Sequence, residues 1–496
     1  MEAALLRQLV AVESASARAD AMPLRPQRSI TKTYAAVPQR DSTEIELARV
    51  SRPMSRSAPS VTLLDDQVTP DVEVLQPSIP MSGLDDGVEA LQSWRDPYMN
   101  IFRLLSACSL NLMNGMNDSA AGPLIPYMEK YYSIGYAMVS LIFVGNAVGF
   151  IAGASLIDTL RERFGRGRAI ALSQVCMMVG YATIACTVPF PAIVVAFFLL
   201  GMGMSINLAL GNIFCGSLTN STAALGIFHG CYGIGGITGP LIANAFVSVL
   251  GLVWSRYYLI LLGLSFFNTV LALWAYRHFE QEHANSVTEP LQIGAQPSAR
   301  ARIRSTANAL TSRVILLGAL FIFAYQGAEV SISGWVISFL EKTRDGDLSQ
   351  VGYVTSGFWA GITLGRFVLS VPAHKVGEKL FVYCMVVGAA VFELLVWLVP
   401  NVVGDAVAVA IVGLLLGPVY PCAASVFMRT MSRTEKLSGM GVISAVGSSG
   451  GAAAPFTTGL LSQAAGTFVL HPIAIGLFAA MLVCWYMLPS ERKRRE

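Results

Sequence analysis

Residues 115–201 of this chain lie, position for position and without a gap, on residues 327–413. Gly115, Gly122, Gly145, Gly149, Gly153, Gly165 and Gly201 fall on Gly327, Gly334, Gly357, Gly361, Gly365, Gly377 and Gly413. Ile125 falls on Ile337, and Glu129-Lys130 on Glu341-Lys342. A chain that copies itself in this way is constrained to fold as two like halves. Glycines recur where helix backbones approach closely, so a shared glycine framework predicts shared helix packing. Two like halves in one membrane can rock against each other around a site between them.

The membrane follows from composition. Of the 496 residues 54% are hydrophobic and 13% charged, whereas soluble domains carry about 25% charged residues. Apolar stretches of roughly 20 residues, enough to span a bilayer, are predicted at 99–126, 134–158, 168–188, 191–214, 225–250, 257–276, 313–340, 350–372, 379–399, 404–427, 437–463 and 470–489. The expected fold is therefore an all-α membrane protein of twelve transmembrane helices in two pseudo-symmetric six-helix bundles, 98–276 and 313–489. A polar central loop, 277–312, joins them. Residues 1–97, rich in Ser, Pro, Asp and Arg, are expected to be a disordered tail. Early arginines would suit a transit peptide, but Glu2, Glu13 and Asp20 argue against one.

Basic residues set the orientation. Arg161, Arg163, Arg166 and Arg168 lie between spans two and three; Arg277, Arg300, Arg302 and Arg304 lie in the central loop. Arg429, Arg433 and Lys436 lie between spans ten and eleven, and residues 490–496 form a basic end. Both termini are thus expected in the cytoplasm. The net charge of +3 is spent on topology and implies no nucleic-acid partner. The eight cysteines fall singly in or beside apolar spans, with no metal-ligand spacing, so neither a disulfide framework nor a metal site is expected.

Within the spans, polar residues mark the candidate site. Asn111, Asn114 and Asp118 recur at helical spacing on one face of span one, with Asn117 beside Asp118. A carboxylate at mid-bilayer costs about 2.5–3.5 kcal/mol on insertion scales, so Asp118 is expected to face a cavity or a partner. A purely structural polar stripe is the plainer alternative. In span seven the repeat puts Gln326 at the place of Asn114 and Glu329 at that of Asn117. Either Asp118 or Glu329 could carry a coupling proton. Trp335 could offer an aromatic platform for a sugar face or merely anchor its helix. Asn207 in span four, His229 and Tyr232 in span five and Tyr420 in the Pro-bent span ten complete the expected binding set. Asp158, Arg161 and Arg366, with Lys375, are expected to form gate salt bridges. Glu393 in span nine has no partner readable from sequence.

The two-half pattern resembles the major facilitator superfamily. The segment GASLIDTLRERFGRGR is similar to that superfamily's loop signature between helices two and three, with Gly153, Asp158, Arg161 and Gly165 at stretched spacing. Asn114, Asn117 and Asp118 ahead of Leu124 and Pro126 resemble the fucose–proton symporter and sodium-dependent glucose transporter-like family, including its fungal members with long polar amino-terminal tails. The resemblance implies that Asp118 is the proton-responsive acid. The family's second acid, in helix four, has no counterpart, since Asn207 stands near its place; the duty could pass to Glu329. Gly226, Gly235, Gly239 and Pro240 carry a competing resemblance to the helix-five motif of proton-coupled drug exporters, with Ala243-Asn244 where that motif closes in Gly-Gly.

The expected function is secondary active transport of a small polar solute, a monosaccharide, by proton-coupled symport. The alternatives are proton antiport of amphipathic compounds and a non-transporting sensor acting through residues 1–97. No nucleophile–base pair, phosphate loop or metal cluster points to an enzyme. Expected partners are the solute, a coupling proton or sodium ion and lipid, with no cofactor and a monomeric state. The expected location is the plasma membrane, with vacuolar or other endomembranes as alternatives.

Overall fold

A computed structural model describes residues 92–286, 312–431 and 435–489. The first crossing is α1 (Met99–Ser119) followed by α2 (Ala121–Tyr132). A short helix, Tyr136–Val139, leads into α3 (Leu141–Ala185), which carries the second and third crossings and turns between them at Gly165, with φ 76° and ψ 168°. The fourth to sixth are α4 (Phe190–Gly216), α5 (Ser221–Asn244) with a π-helical extension Ala245–Val249, and α6 (Tyr258–Ala275). The second half comprises α7 (Arg313–Thr343), α8 (Val354–Val368), α9 (Glu378–Leu398), α10 (Val402–Leu416) with α11 (Val419–Thr430), α12 (Glu435–Ala465) and α13 (Leu470–Met487). The tenth crossing breaks at Gly417-Pro418, where proline removes a backbone donor.

This is an all-α membrane fold. Eight helical segments among the described residues are long and apolar enough to cross a bilayer, α3 counting once for its two crossings. The other crossings fall short for local reasons: α1 and α2 are interrupted and Asn-rich, α8 has 15 residues, and α12 is rich in Gly, Ser and Thr. Large side chains such as Ile151, Phe266, Leu364 and Val403 are exposed along the flanks. On a soluble surface such an apolar expanse would drive association; here it suits lipid.

The repeat is reproduced in the contacts. A Cβ added at Gly149 would lie 1.9 Å from the carbonyl oxygen of Phe198, and one at Gly361 2.1 Å from that of Ala410. Gly153 faces the Met202 carbonyl at 2.4 Å and Gly365 the Leu414 carbonyl at 2.1 Å; Gly201 faces Asn146 at 1.9 Å and Gly413 faces Phe358 at 2.2 Å. Each carbonyl occupies the position in its half that its counterpart occupies in the other. Gly165 and Gly377, matched by the repeat, both take positive φ, which glycine adopts without strain.

Two boundaries differ from expectation. The tail was expected to be disordered as far as residue 97, and residues 1–91 lie outside the described residues. Residues 92–97, however, are tied in: the Gln92 carbonyl accepts from Thr219 N at 2.9 Å, and Asn100 Nδ2 donates to Gln92 Oε1 at 3.2 Å. The central loop begins as a helix, Phe279–Ser286. Arg103 pairs with Glu282 at 2.7 Å, and Arg166 N donates to Glu280 Oε1 at 2.9 Å. A polar segment with a basic pocket to dock against does not stay a loop. Residues 287–311 and the basic end 490–496 lie outside the described residues.

Gly149→Ala and Gly361→Ala should each lower the thermal stability of the purified protein by about 1–3 kcal/mol, because the methyl group meets backbone that cannot move aside. Gly263→Ala, with open space around it, should be neutral or slightly stabilising. Melting in detergent, followed by size-exclusion fluorescence, checks the contrast.

Candidate functional site

Asp118 occupies the last turn of α1. Its carboxylate accepts from the Tyr232 hydroxyl of α5 at 2.8 Å and from Asn117 Nδ2 at 3.5 Å. Among the described residues it makes no ion pair. The Tyr232 ring meets Trp359 of α8 edge to face, with centroids 6.0 Å apart, and the Trp359 indole donates to Ser333 Oγ of α7 at 3.0 Å. Tyr232 thus stands on the seam between the halves. Close approach on that seam is permitted by Gly233 beside Thr363 and Gly236 beside Trp359.

On the other side of the seam, Glu329 of α7 lies 4.0 Å from Arg366 of α8. Tyr325, one turn before Glu329, lies close to both, and its ring meets that of Tyr420 of α11 at a tilt of 46°, with centroids 5.9 Å apart. Asp118 lies within range of the Glu329 charge, and His229 within range of that of Arg366. His229 Nε2 lies 3.1 Å from Asn212 Oδ1. Two carboxylates and one guanidinium therefore share a centre with five aromatic or imidazole rings. Such a centre can take up a proton at Asp118 without breaking an ion pair, and it offers acceptors and donors to a hydroxylated solute. Among the described residues no group of His, Cys, Asp or Glu side chains could hold a metal ion.

The structure brings together Asp118, His229, Tyr232, Glu329 and Tyr420 from the expected set. Asn114 and Asn117 are buried beside them; each has a side-chain oxygen without a hydrogen-bond partner, and Asn117 Nδ2 also reaches Met204 Sδ at 3.2 Å. Gln326 points toward Gly451 of α12, with its Oε1 3.9 Å from a Cβ placed there. Asn207 lies elsewhere: it accepts from Ser173 Oγ and donates to Met177 Sδ, so it joins α3 to α4, and Asn212 takes the place beside His229. Trp335 is not a platform in a cavity. It is 1% exposed, its indole donates to the Pro455 carbonyl at 2.9 Å, and Tyr136 meets it edge to face at 5.7 Å. It seals one end of the seam, between α7, α12 and the start of the second crossing. Gly122 against the Ser333 carbonyl and Asn244 Nδ2 donating to the Ser349 carbonyl at 3.2 Å close the same end.

Arg366, expected in a gate with Asp158 and Arg161, belongs instead to the centre with Glu329. Tyr325 and Trp359 were passed over. Their signal was present: Tyr325 precedes Glu329 by four residues, and Trp359 precedes Arg366 by seven, each on one helix face. Glu393 acquires a partner, His471 of α13, at 2.8 Å with both side chains buried. Two of the exporter-like glycines are accounted for by packing, and the third, Gly226, has open space around it. Gly235 and Gly239 receive the Leu112 and Met116 carbonyls of α1, at 2.0 and 2.7 Å from a built Cβ.

The sequence profile of the Major Facilitator Superfamily matches residues 107–455 and 327–496. The chain is similar to Bypass of stop codon protein 6 of Saccharomyces cerevisiae, 27% identical over 401 residues that cover 75% of this chain and 78% of that protein. It is also similar to a glucose/galactose transporter of Brucella abortus, 27% identical over 172 residues, covering 34% of this chain and 40% of that protein.

Removing one member of a buried hydrogen-bonded pair leaves the other unsatisfied and opens a cavity, at a combined cost of about 2–5 kcal/mol. Glu393→Ala should therefore lower melting stability markedly. Tyr232→Phe keeps the ring and removes one hydrogen bond at the seam, so it should cost less than Glu393→Ala. Parallel melting curves of the two variants test the assignment of one pair to structure and the other to the site.

Proposed function

This chain belongs to the Major Facilitator Superfamily of transporters, and from that premise we propose that it is a proton-coupled symporter of a monosaccharide working by alternating access. The observation that carries the reading is the Tyr232–Asp118 hydrogen bond at the seam, opposite the Glu329–Arg366 pair of the other half. A lone carboxylate is the simplest proton carrier for such a centre. The name of the Brucella relative, a glucose/galactose transporter, favours a hexose as cargo.

In this reading the end sealed by Trp335 faces outward and both termini face the cytoplasm, as the basic loops indicate. With that end open, Asp118 takes a proton from outside and no longer accepts from the Tyr232 hydroxyl. The freed hydroxyl, the Asn114 and Asn117 oxygens and Glu329 then bond the hydroxyls of the sugar. Bound solute draws the halves together at the outer end, and Trp335 packs under Pro455. Once the inner end opens, Asp118 gives its proton to cytoplasmic water and re-forms the Tyr232 hydrogen bond, which releases the sugar. The plasma membrane is the proposed location.

Labelled-hexose uptake into vesicles tests the proposal. Uptake should rise as the outside pH falls and should lose its uphill component when the proton gradient is collapsed. Asp118→Asn should abolish accumulation while sparing solute exchange. Tyr232→Phe, losing a hydrogen bond to a charged group worth about 1.5–3 kcal/mol, should slow uptake on the order of tenfold or more. Uptake indifferent both to the gradient and to Asp118→Asn would refute the coupling.

A further inference from the structure

The repeat has a consequence at the sealed end that the central site does not use. Glu129-Lys130, in the last turns of α2, and Glu341-Lys342, in the last turns of α7, are the same dipeptide in the two halves. The repeat therefore sets one such dipeptide from each half at this end. All four side chains line one cavity of about 350 Å³, together with Tyr127 and Leu348. Lys342 Nζ pairs with Glu341 Oε1 at 3.0 Å and is half exposed. Glu129 receives no such bond: its Oε1 is buried and has no hydrogen-bond partner.

We propose that Glu129, in the cavity it shares with Glu341, holds a proton while this end is sealed and releases it when the halves part. Two carboxylates lining one cavity cannot both ionise cheaply, and a buried oxygen that no donor reaches favours the neutral acid. The groups facing Glu129 are Glu341 and Lys342 of α7, Tyr136 of the short helix that follows, and Tyr127 and Lys130 of its own helix; Asp347 lies beyond, beside Tyr127. Burial first, then the Glu341 charge, push the Glu129 carboxyl up to about 8, with Lys342 opposing. With the halves apart the group returns toward the ordinary glutamate range near 4.3.

The sign follows by linkage. The sealed form binds more protons than the open one, so acid favours sealing. That preference is complete below the open-form value and is lost as pH rises through about 8. The inference rests on alternating access between the halves and on no particular cargo.

The test uses the full chain in nanodiscs without solute. Spin labels at Tyr131→Cys and Gln350→Cys, both exposed positions, report the width of this end by pulsed electron resonance, with Cys186 and Cys384 replaced by serine. The ratio of sealed to open form should fall by at least tenfold or so between pH 6 and pH 9. Glu129→Gln should stay sealed at every pH. Lys342→Gln should move the midpoint alkaline and Glu341→Gln should move it acid, which keeps the test open if one variant misfolds. A pH-independent ratio in the parent, or a parent-like titration in Glu129→Gln, overturns the proposal. Loss of hexose uptake with this titration intact would bear on the cargo and leave the proton site standing.

Discussion

The contact on which this molecule depends is a glycine Cα held against a backbone carbonyl of the neighbouring helix. Gly149, Gly153 and Gly201 bring the second crossing onto the fourth so closely that no side chain fits between them, and Gly361, Gly365 and Gly413 do the same for the eighth and tenth. Lipid supplies no hydrophobic drive for helices to associate, so backbone proximity and dispersion have to hold them. The result is two stiff bundles. Stiffness within each half leaves the seam between them as the place where conformational change costs least.

Polar chemistry gathers on that seam for the same reason. Inside a bundle polar side chains find fixed partners on the packed helices, as Asn207 does in Ser173 and Met177 and Glu393 does in His471. At the seam it can exchange partners. The repeat starts the two halves with comparable amide and carboxylate residues, and the neighbours then make them unlike: a phenol for Asp118, a guanidinium for Glu329. An acid without a counterion and an acid with one answer differently to the same proton, and coupling requires that difference.

Much of this was legible in the sequence. Span positions, the two-half plan and the glycine framework follow from composition and spacing alone. So does the prominence of Asp118 and Glu329, because a carboxylate in an apolar helix needs a reason to be there. What failed to appear were partnerships across long separations. Arg366 resembled a loop-end cation because Lys375 follows it; only the packing of α7 on α8 shows that it reaches Glu329. Trp335 could be read as a platform or as an anchor, and which surface it meets depends on Pro455, 120 residues further on. Glu393 and His471 are 78 residues apart and on different helices. One-dimensional periodicity gives the face a residue occupies and is silent about what stands opposite.

The helix Phe279–Ser286 is fastened to the first half through Arg103 and the Arg166 backbone. The first half therefore owns a piece of chain beyond the end of its sixth crossing. Both clasps are charged, and each joins a residue of an early crossing to a segment more than a hundred positions further on. They bind the start and the finish of the six-helix half into one closed ring, so that whatever moves the first crossing carries this helix along as cargo.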